Sequence, residues 1–215
     1  MRILFVLALV VFSSAVFGTA QYPDEIIYNG KKYKLNSNPM ESYFEKHPDK
    51  RPKNGIESNE LYRGYIATFE IKNNQLYLKD IVINFRDTTD NKDYKTKKVS
   101  VKNEIFPNQE LIKIDWMTGL LVIPVGEIVN YVHMGYGSTY ESYILLEINK
   151  GNFKQEKQFG YKEYELFKEK QFQAFKKTDE YKNLKAELKK KDQEDNFIDS
   201  FLKVYLTEYT SKIIN

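Results

Sequence analysis

The densest collection of chemically versatile side chains in this sequence runs from Tyr131 to Glu141. It holds one of only two histidines, three tyrosines, two glycines, a Ser-Thr pair and a carboxylate within eleven residues. Glycine gives the backbone conformations that are closed to other residues, and tyrosine combines apolar area with a polar tip. Such a composition suits either a shaped binding surface or a catalytic centre.

A catalytic interpretation makes His133 the general base, with Ser138 as nucleophile and Glu141 as the carboxylate that orients the imidazole. The serine lacks the strand-turn-helix elbow that exposes such a nucleophile. Arg63 and Glu70, far upstream, are further candidates for a hydrolase or transferase site that uses His133. The sequence therefore leaves catalysis open without completing a catalytic motif.

A binding interpretation uses Trp116, His133, Tyr136 and Tyr140. Trp116 is the only tryptophan, and it lies either in the core beside a hairpin or in the wall of a pocket that Tyr136 or Tyr140 also lines. A zinc site usually takes three or four Cys, His or carboxylate ligands. Because the chain has two histidines and no cysteine, we predict no metal site, and nothing indicates a cofactor.

The elements that must position these side chains divide near residue 155. Upstream, β-branched and aromatic residues alternate with turn-forming Gly, Asn and Asp, whereas the tail is rich in Lys, Glu and Gln. We predict an α+β fold in which residues 21–155 form a mostly antiparallel β domain, barrel-like or a strongly curved sheet. Residues 156–215 are then a charged helical C-terminal segment of two or three helices.

Local patterns place strands and turns within the β domain. Asn29-Gly30 suits a type I′ hairpin turn, and Asn73-Asn74 joins a strand from Leu61 to Ile71 to its partner at 76–85. Asn38 is expected to cap a short helix from Met40 to Lys46. The loops are expected at 48–59 and 86–98, and shorter strands at 99–102, 111–116, 120–125, 128–133 and 142–148, with a further turn at 149–152.

The N-terminal segment has the layout of a cleavable secretory signal peptide over residues 1–20. Arg2 precedes an apolar run from Ile3 to Phe12 that ends among small residues. Gly18 and Ala20 occupy the −3 and −1 positions of a cut after Ala20. The run is short of the ~20 apolar residues that span a bilayer. We therefore predict a secreted or periplasmic product, with a retained anchor as the alternative.

Composition narrows the class of protein further. The absence of cysteine excludes a disulfide framework, and cysteine-free export favours a bacterial envelope. Arg2 is the only charged residue among residues 1–20, so removal of this segment lowers the net charge from +3 to +2. Basic and acidic residues are interspersed, so nucleic acid is not an expected partner. With a mean hydropathy of −0.60, we expect no transmembrane segment after signal cleavage.

Two sets of motifs resemble known families. Tyr62 to Ile71, Asp115-Trp116 with Gly119, Ile123-Pro124 with Gly126-Glu127, and Tyr131 to Ser138 together resemble a family of small uncharacterised bacterial proteins. That family carries no assigned activity, so the resemblance implies no catalytic residues.

Leu61-Tyr62-Arg63-Gly64, with Ser138-Thr139 and Glu147 downstream, resembles the arginine motif of ADP-ribosyltransferases. Only nine positions separate Ser138 from Glu147, whereas that family has a much longer interval. We therefore predict that Arg63 pairs with a carboxylate beside the sheet.

The abundance of aromatic residues, 17 Tyr and 14 Phe, without a complete catalytic motif favours one hypothesis. We expect an exported, non-enzymatic binding or interaction module that presents an aromatic, glycine-rich surface to an unknown protein or small ligand. The alternatives are a hydrolase or transferase that uses His133 and nearby carboxylates, and a structural envelope protein.

Overall fold

The structure is a computed structural model that describes residues 19–87, 95–190, 194–204 and 212–213. The predicted signal segment lies outside these residues, apart from Thr19 and Ala20. The described residues form an α+β fold dominated by one mixed sheet. The strands are β1 (Asp24–Tyr28), β2 (Lys31–Leu35), β3 (Ile66–Lys72), β4 (Gln75–Asp87), β5 (Lys95–Ser100), β6 (Ile112–Lys113), β7 (Gly119–Asn130), β8 (Thr139–Asn149) and β9 (Asn152–Gly160). The helices are α1 (Glu41–Lys46), α2 (Lys102–Ile105), α3 (Tyr161–Phe175), α4 (Asp179–Lys189) and α5 (Asp195–Val204).

Short turns with positive φ angles build the hairpins. Asn29 and Gly30 have φ angles of 49° and 73°, which are the values that a type I′ turn requires at both central residues. Asn73-Asn74 and Lys150-Gly151 adopt the same left-handed region. The predicted turns between β1 and β2, between β3 and β4, and between β8 and β9 are confirmed.

The sheet is curved but open. Its strands follow the order β2-β1-β3-β4-β9-β8-β7, with β5 and β6 both paired to β4, and only β1 and β3 run parallel. Directly after β2, the Asn36 N–H donates to the Val122 carbonyl of β7 at 2.8 Å, and Ser37 Oγ accepts the Val122 N–H at 3.1 Å. Because β2 ends at Leu35, no ladder joins the edges in the described residues. The curved-sheet prediction is confirmed and the barrel-like one is wrong.

Several predicted boundaries are corrected. The strand expected from Leu61 begins only at Ile66, because Gly64 has a positive φ of 73° and turns the chain beforehand. Part of the expected 86–98 loop forms β5, which pairs with β4. The two strands expected at 120–125 and 128–133 are one strand, β7, interrupted by a register shift between Val125 and Ile128.

The helix predicted from Met40 begins at Glu41, with Met40 as its N-cap and no side-chain cap. The Asn38 side chain, expected to cap this helix, instead accepts a hydrogen bond from the Tyr136 hydroxyl at 2.9 Å. A tertiary contact therefore replaces a local one at this position.

The buried apolar side chains of the described residues form three clusters. The largest lies on one face of the curved sheet and contains Ile26, Phe69 and Leu121. A second forms between the opposite face of β7–β9 and the first half of α3, around Leu145, Phe159 and Phe167. The third joins the end of α3 to α4 and α5. The long helix α3 thus ties the helical tail to the sheet.

The helical tail begins where β9 ends, at Gly160. The Glu163 carboxylate accepts the Gly160 N–H at 3.0 Å and closes the first turn of α3. None of the described helices combines the length and the apolar character needed to cross a membrane.

Candidate functional site

A polar network centred on a buried ion pair, here called the anchor network, lies beside the loop between β7 and β8. It consists of Asp24, Asn38, Arg63 and Tyr136. Arg63 donates to Asp24 Oδ1 at 3.3 Å, to the Tyr136 hydroxyl at 3.1 Å and to the Tyr22 carbonyl at 2.9 Å. The predicted pairing of Arg63 with a carboxylate beside the sheet is confirmed, and Asp24 of β1 is that carboxylate.

Burial sets the electrostatics of this pair. The side chains of Asp24 and Arg63 are both 0% exposed. Burial raises the pKa of Asp24 to about 6 from an ordinary 3.8, although the Arg63 guanidinium and the Ala67 N–H oppose the shift. Burial also disfavours the guanidinium charge, but Asp24 and nearby phenols hold the pKa of Arg63 above its ordinary value. Asp24 Oδ2 and Arg63 Nε have no partner among the described residues.

Tyr136 connects this ion pair to the surface loop. Its hydroxyl accepts from Arg63 and donates to Asn38, and it lies 3.3 Å from the Tyr22 carbonyl. Burial raises the pKa of the Tyr136 phenol, and the Arg63 charge opposes that shift only in part. The phenol therefore stays protonated and serves as both acceptor and donor in fixed hydrogen bonds.

The loop between β7 and β8 is further ordered by its backbone. The Gln21 N–H donates to the Gly135 carbonyl at 2.9 Å, and the Gly135 N–H donates to the Thr19 carbonyl at 3.1 Å. Ser138 Oγ accepts the Val132 N–H at 3.1 Å. The loop is thus fastened to the N-terminal segment on one side and closed on itself on the other.

Several large apolar side chains of this loop and of the segments next to it in the chain or in the network stay exposed, and we refer to this set of residues as the exposed patch. Tyr131 and Met134 of the loop are 59% and 51% exposed. Contiguous exposed apolar surface marks interaction sites, whereas single exposed apolar side chains are common on any protein. The members of the exposed patch are Tyr22, Tyr62, Ile128, Val129, Tyr131 and Met134.

The structure does not bring the catalytic candidates together. His133 is exposed, and its Nδ1 lies 2.8 Å from the Tyr131 hydroxyl. Glu141 Oε2 accepts the Glu127 N–H at 3.2 Å, beside the register shift of β7. Ser138 holds the loop backbone. Each of these side chains thus has a local structural contact in place of a catalytic one.

The two remaining catalytic candidates also have structural partners. Glu70, on β3, forms a 3.0 Å ion pair with Lys79 of the neighbouring strand. Arg63 is only 2% exposed, so a substrate would not reach its guanidinium. In the part of the chain that the structure describes, no three histidines or carboxylates gather as a metal site would need.

The binding candidates take different positions. Trp116 packs against the main core beside Tyr43 and Phe106, and its indole N–H donates to the Pro39 carbonyl at 3.0 Å. Pro39 is the chain neighbour of Asn38, so this hydrogen bond places Trp116 next to the anchor network but not in it. Tyr140 is half-buried and lies directly opposite Ile128 in the β7–β8 ladder. Tyr136 is the inward anchor, and His133 faces outward beside the exposed patch.

Sequence reasoning missed Asp24 and Asn38 as members of the network. Asp24 stands 39 residues from Arg63, and no local spacing relates the two. The signal that could have raised suspicion is the spacing of Asp24 with Ile26 and Tyr28, which places a carboxylate on the same face of the strand as two apolar residues.

Comparison with known proteins gives no relative: no family model, no curated protein and no solved structure matches this chain. The resemblance to a family of uncharacterised bacterial proteins stays a prediction.

Proposed function

We propose that this chain is an exported, non-enzymatic binding or interaction module whose contact surface is the exposed patch. One observation carries the proposal: the loop between β7 and β8 separates its side chains into two sets. Tyr136 points inward onto a buried ion pair, whereas Tyr131 and Met134 remain more than half exposed. Export is supported by the residue pattern of positions 1–20 alone.

The physical reason is that an ordered apolar surface binds at a low entropic cost. Burying one large apolar side chain against a partner contributes about 1.5–3 kcal/mol. Tyrosine is enriched at the centres of interfaces because it combines area, rigidity and a polar tip. Since the anchor network already fixes the backbone of the loop, little further ordering is needed on binding.

The hydrolase or transferase hypothesis needs His133 and a carboxylate in one cleft. The contacts of His133, Glu141 and Glu70 are local and separate, and they give that hypothesis no support. No contact specifically favours a structural envelope role either.

The test compares two triple variants, each of which replaces three large exposed apolar side chains. In the patch variant, Tyr22, Tyr131 and Met134 become Ser. In the control variant, three exposed apolar residues elsewhere become Ser: Leu111, Leu166 and Phe197. Wild type and both variants are immobilised, and proteins captured from an envelope extract of a bacterial host are quantified by mass spectrometry.

We expect at least one captured protein to be retained by the wild type and the control variant and depleted more than tenfold by the patch variant. Equal capture by all three chains, with all three folded by circular dichroism, would contradict the proposal.

A further inference from the structure

A second recognition feature lies away from the exposed patch, where α3 packs against the outer face of β7–β9. Two residues near the end of the chain, Lys212 and Ile213, are bound there. The Ile213 side chain is 7% exposed and belongs to the apolar cluster that includes Leu145 and Phe167. We call this place the tail seat.

Two buried polar side chains hold the backbone of the bound segment. Glu147 Oε2, from β8, accepts the Ile213 N–H at 3.0 Å and the Gln155 amide at 2.7 Å. Gln171 Nε2, from α3, donates to the Lys212 carbonyl at 3.0 Å. A strand and a helix therefore each contribute one group that binds the backbone of this segment.

Burial of the Gln171 amide costs free energy that packing of α3 alone does not explain. The side chain is 0% exposed, and its Oε1 has no partner among the described residues. Burying an amide with an unmet acceptor costs free energy that an apolar side chain at the same position would not. A residue that destabilises its own helix packing but donates to a bound backbone fits a binding role.

The contacts define what the tail seat recognises. Both polar groups meet main-chain atoms, which every peptide has, and of the two described residues of the segment, Ile213 places its side chain in the apolar cluster. The seat thus selects a segment with an aliphatic residue whose own N–H meets Glu147 and whose preceding carbonyl meets Gln171. This is a recurring way to recognise peptides, with the backbone giving affinity and one pocket giving specificity.

We propose that the tail seat is a peptide-binding site for such segments and that Lys212–Ile213 is its internal competitor. Attachment to the same chain gives the internal segment a high effective concentration. A partner segment of the same chemistry must therefore displace it. This proposal is independent of the exposed patch.

The experiment opens the seat in the full chain. In Ile213→Asp, a charge replaces the aliphatic group that enters the apolar cluster, so the internal segment should leave. The probe is a fluorescein-labelled peptide with the sequence of residues 205–215, followed by anisotropy. We expect it to bind Ile213→Asp at least tenfold more tightly than wild type, and the same peptide carrying I213D to bind neither chain.

Two controls separate binding from damage to the fold. Leu166→Asp places the same charge on an exposed position of α3 (65% exposed) and should bind the peptide as weakly as wild type. Gln171→Met, added to Ile213→Asp, should weaken peptide binding about tenfold while leaving the melting temperature unchanged or higher. Gln173→Met, at an exposed position of the same helix, should leave binding unchanged.

Failure of a folded Ile213→Asp chain to bind the peptide would overturn the proposal, as would equal binding to Leu166→Asp. If Ile213→Asp does not fold, Ile213→Ala is titrated in the same way and is expected to bind more tightly than wild type. Unfolding of both Ile213 variants would show that the segment is part of the fold and would also overturn the proposal.

Discussion

Two networks of aspartate, a cation and tyrosine hold the two halves of this molecule, and they differ in burial. In the β domain, Asp24 pairs with Arg63, which also contacts Tyr136, and neither charged side chain is exposed. In the helical tail, Asp199 accepts from Lys176 at 2.8 Å and from Tyr181 at 2.6 Å. The tail ion pair is about one-third exposed, at 35% for Lys176 and 27% for Asp199.

The same residue types therefore give opposite electrostatics. Burial dominates at Asp24 and raises its pKa to about 6. At Asp199, partial burial also acts to raise the pKa, but hydrogen bonds from Lys176 and Tyr181 outweigh it, and the net shift is downward. In the anchor network, burial disfavours the charge of Asp24, so the ion pair fixes the positions of its partners at an electrostatic cost. In the tail network, the hydrogen bonds favour the charge of Asp199 and stabilise a partly solvated contact between helices.

The largest expected difference concerns removal of the cation. Arg63→Met leaves Asp24 buried without its ion partner, and breaking a buried pair costs about 3–5 kcal/mol. Lys176→Met removes a partly exposed pair worth about 0–1 kcal/mol. Urea unfolding of both variants measures the two losses. Losses of similar size would remove the distinction between the networks.

The two carboxylates should respond to pH with opposite signs. Because the pKa of Asp24 is raised in the folded state, its contribution to stability is fully present below its ordinary 3.8 and is lost as pH rises through about 6. The pKa of Asp199 is lowered, so its contribution is present above 3.8 and is lost as pH falls.

Unfolding free energies from pH 3.5 to 7 test these signs against Asp24→Asn and Asp199→Asn. The stability of wild type relative to Asp24→Asn should fall as pH rises, by about 1.4 kcal/mol for each unit by which the folded pKa is raised. Relative to Asp199→Asn it should rise over the lower part of the range. Two curves with slopes of the same sign would refute the comparison.

A smaller effect is expected from the tyrosine hydroxyls. Tyr136→Phe leaves a donor of the buried Arg63 and the oxygen of the half-buried Asn38 without this partner, at a cost of about 1–3 kcal/mol. Tyr181→Phe frees Asp199 to bind water and should cost less. Thermal melting of the two variants ranks them, and the reverse order would count against burial as the deciding factor.

The smallest effect on stability is expected from the exposed patch. Substituting Tyr22, Tyr131 and Met134 by Ser removes side chains that lie largely in water, and surface changes of this kind usually fall within about 0.5 kcal/mol each. Urea unfolding of the triple variant measures the sum. A loss of several kcal/mol would mean that these residues belong to the packing of the fold.

The sequence predicted what depends on local chemistry. Asn29-Gly30 specifies its hairpin turn because both residues tolerate positive φ, and the periodic aromatics of residues 161–175 specify a helix. It did not predict that the Asn38 side chain would accept a hydrogen bond from Tyr136 instead of capping α1, because Tyr136 lies 98 positions away in the chain. It also placed Trp116 and Tyr136 in one candidate surface, since side-chain direction in a loop leaves no local pattern.

We infer that the anchor network orders the loop between β7 and β8, which carries Tyr131 and Met134 of the exposed patch. Hydrogen–deuterium exchange of the amides of Gln21 and Gly135, which bridge the loop to the N-terminal segment, tests it directly in Tyr136→Phe, with Tyr181→Phe as the matched control. We predict faster exchange at both amides in Tyr136→Phe and rates equal to wild type in Tyr181→Phe. Unchanged exchange rates at both amides in a folded Tyr136→Phe chain would show that the anchor network does not order the loop.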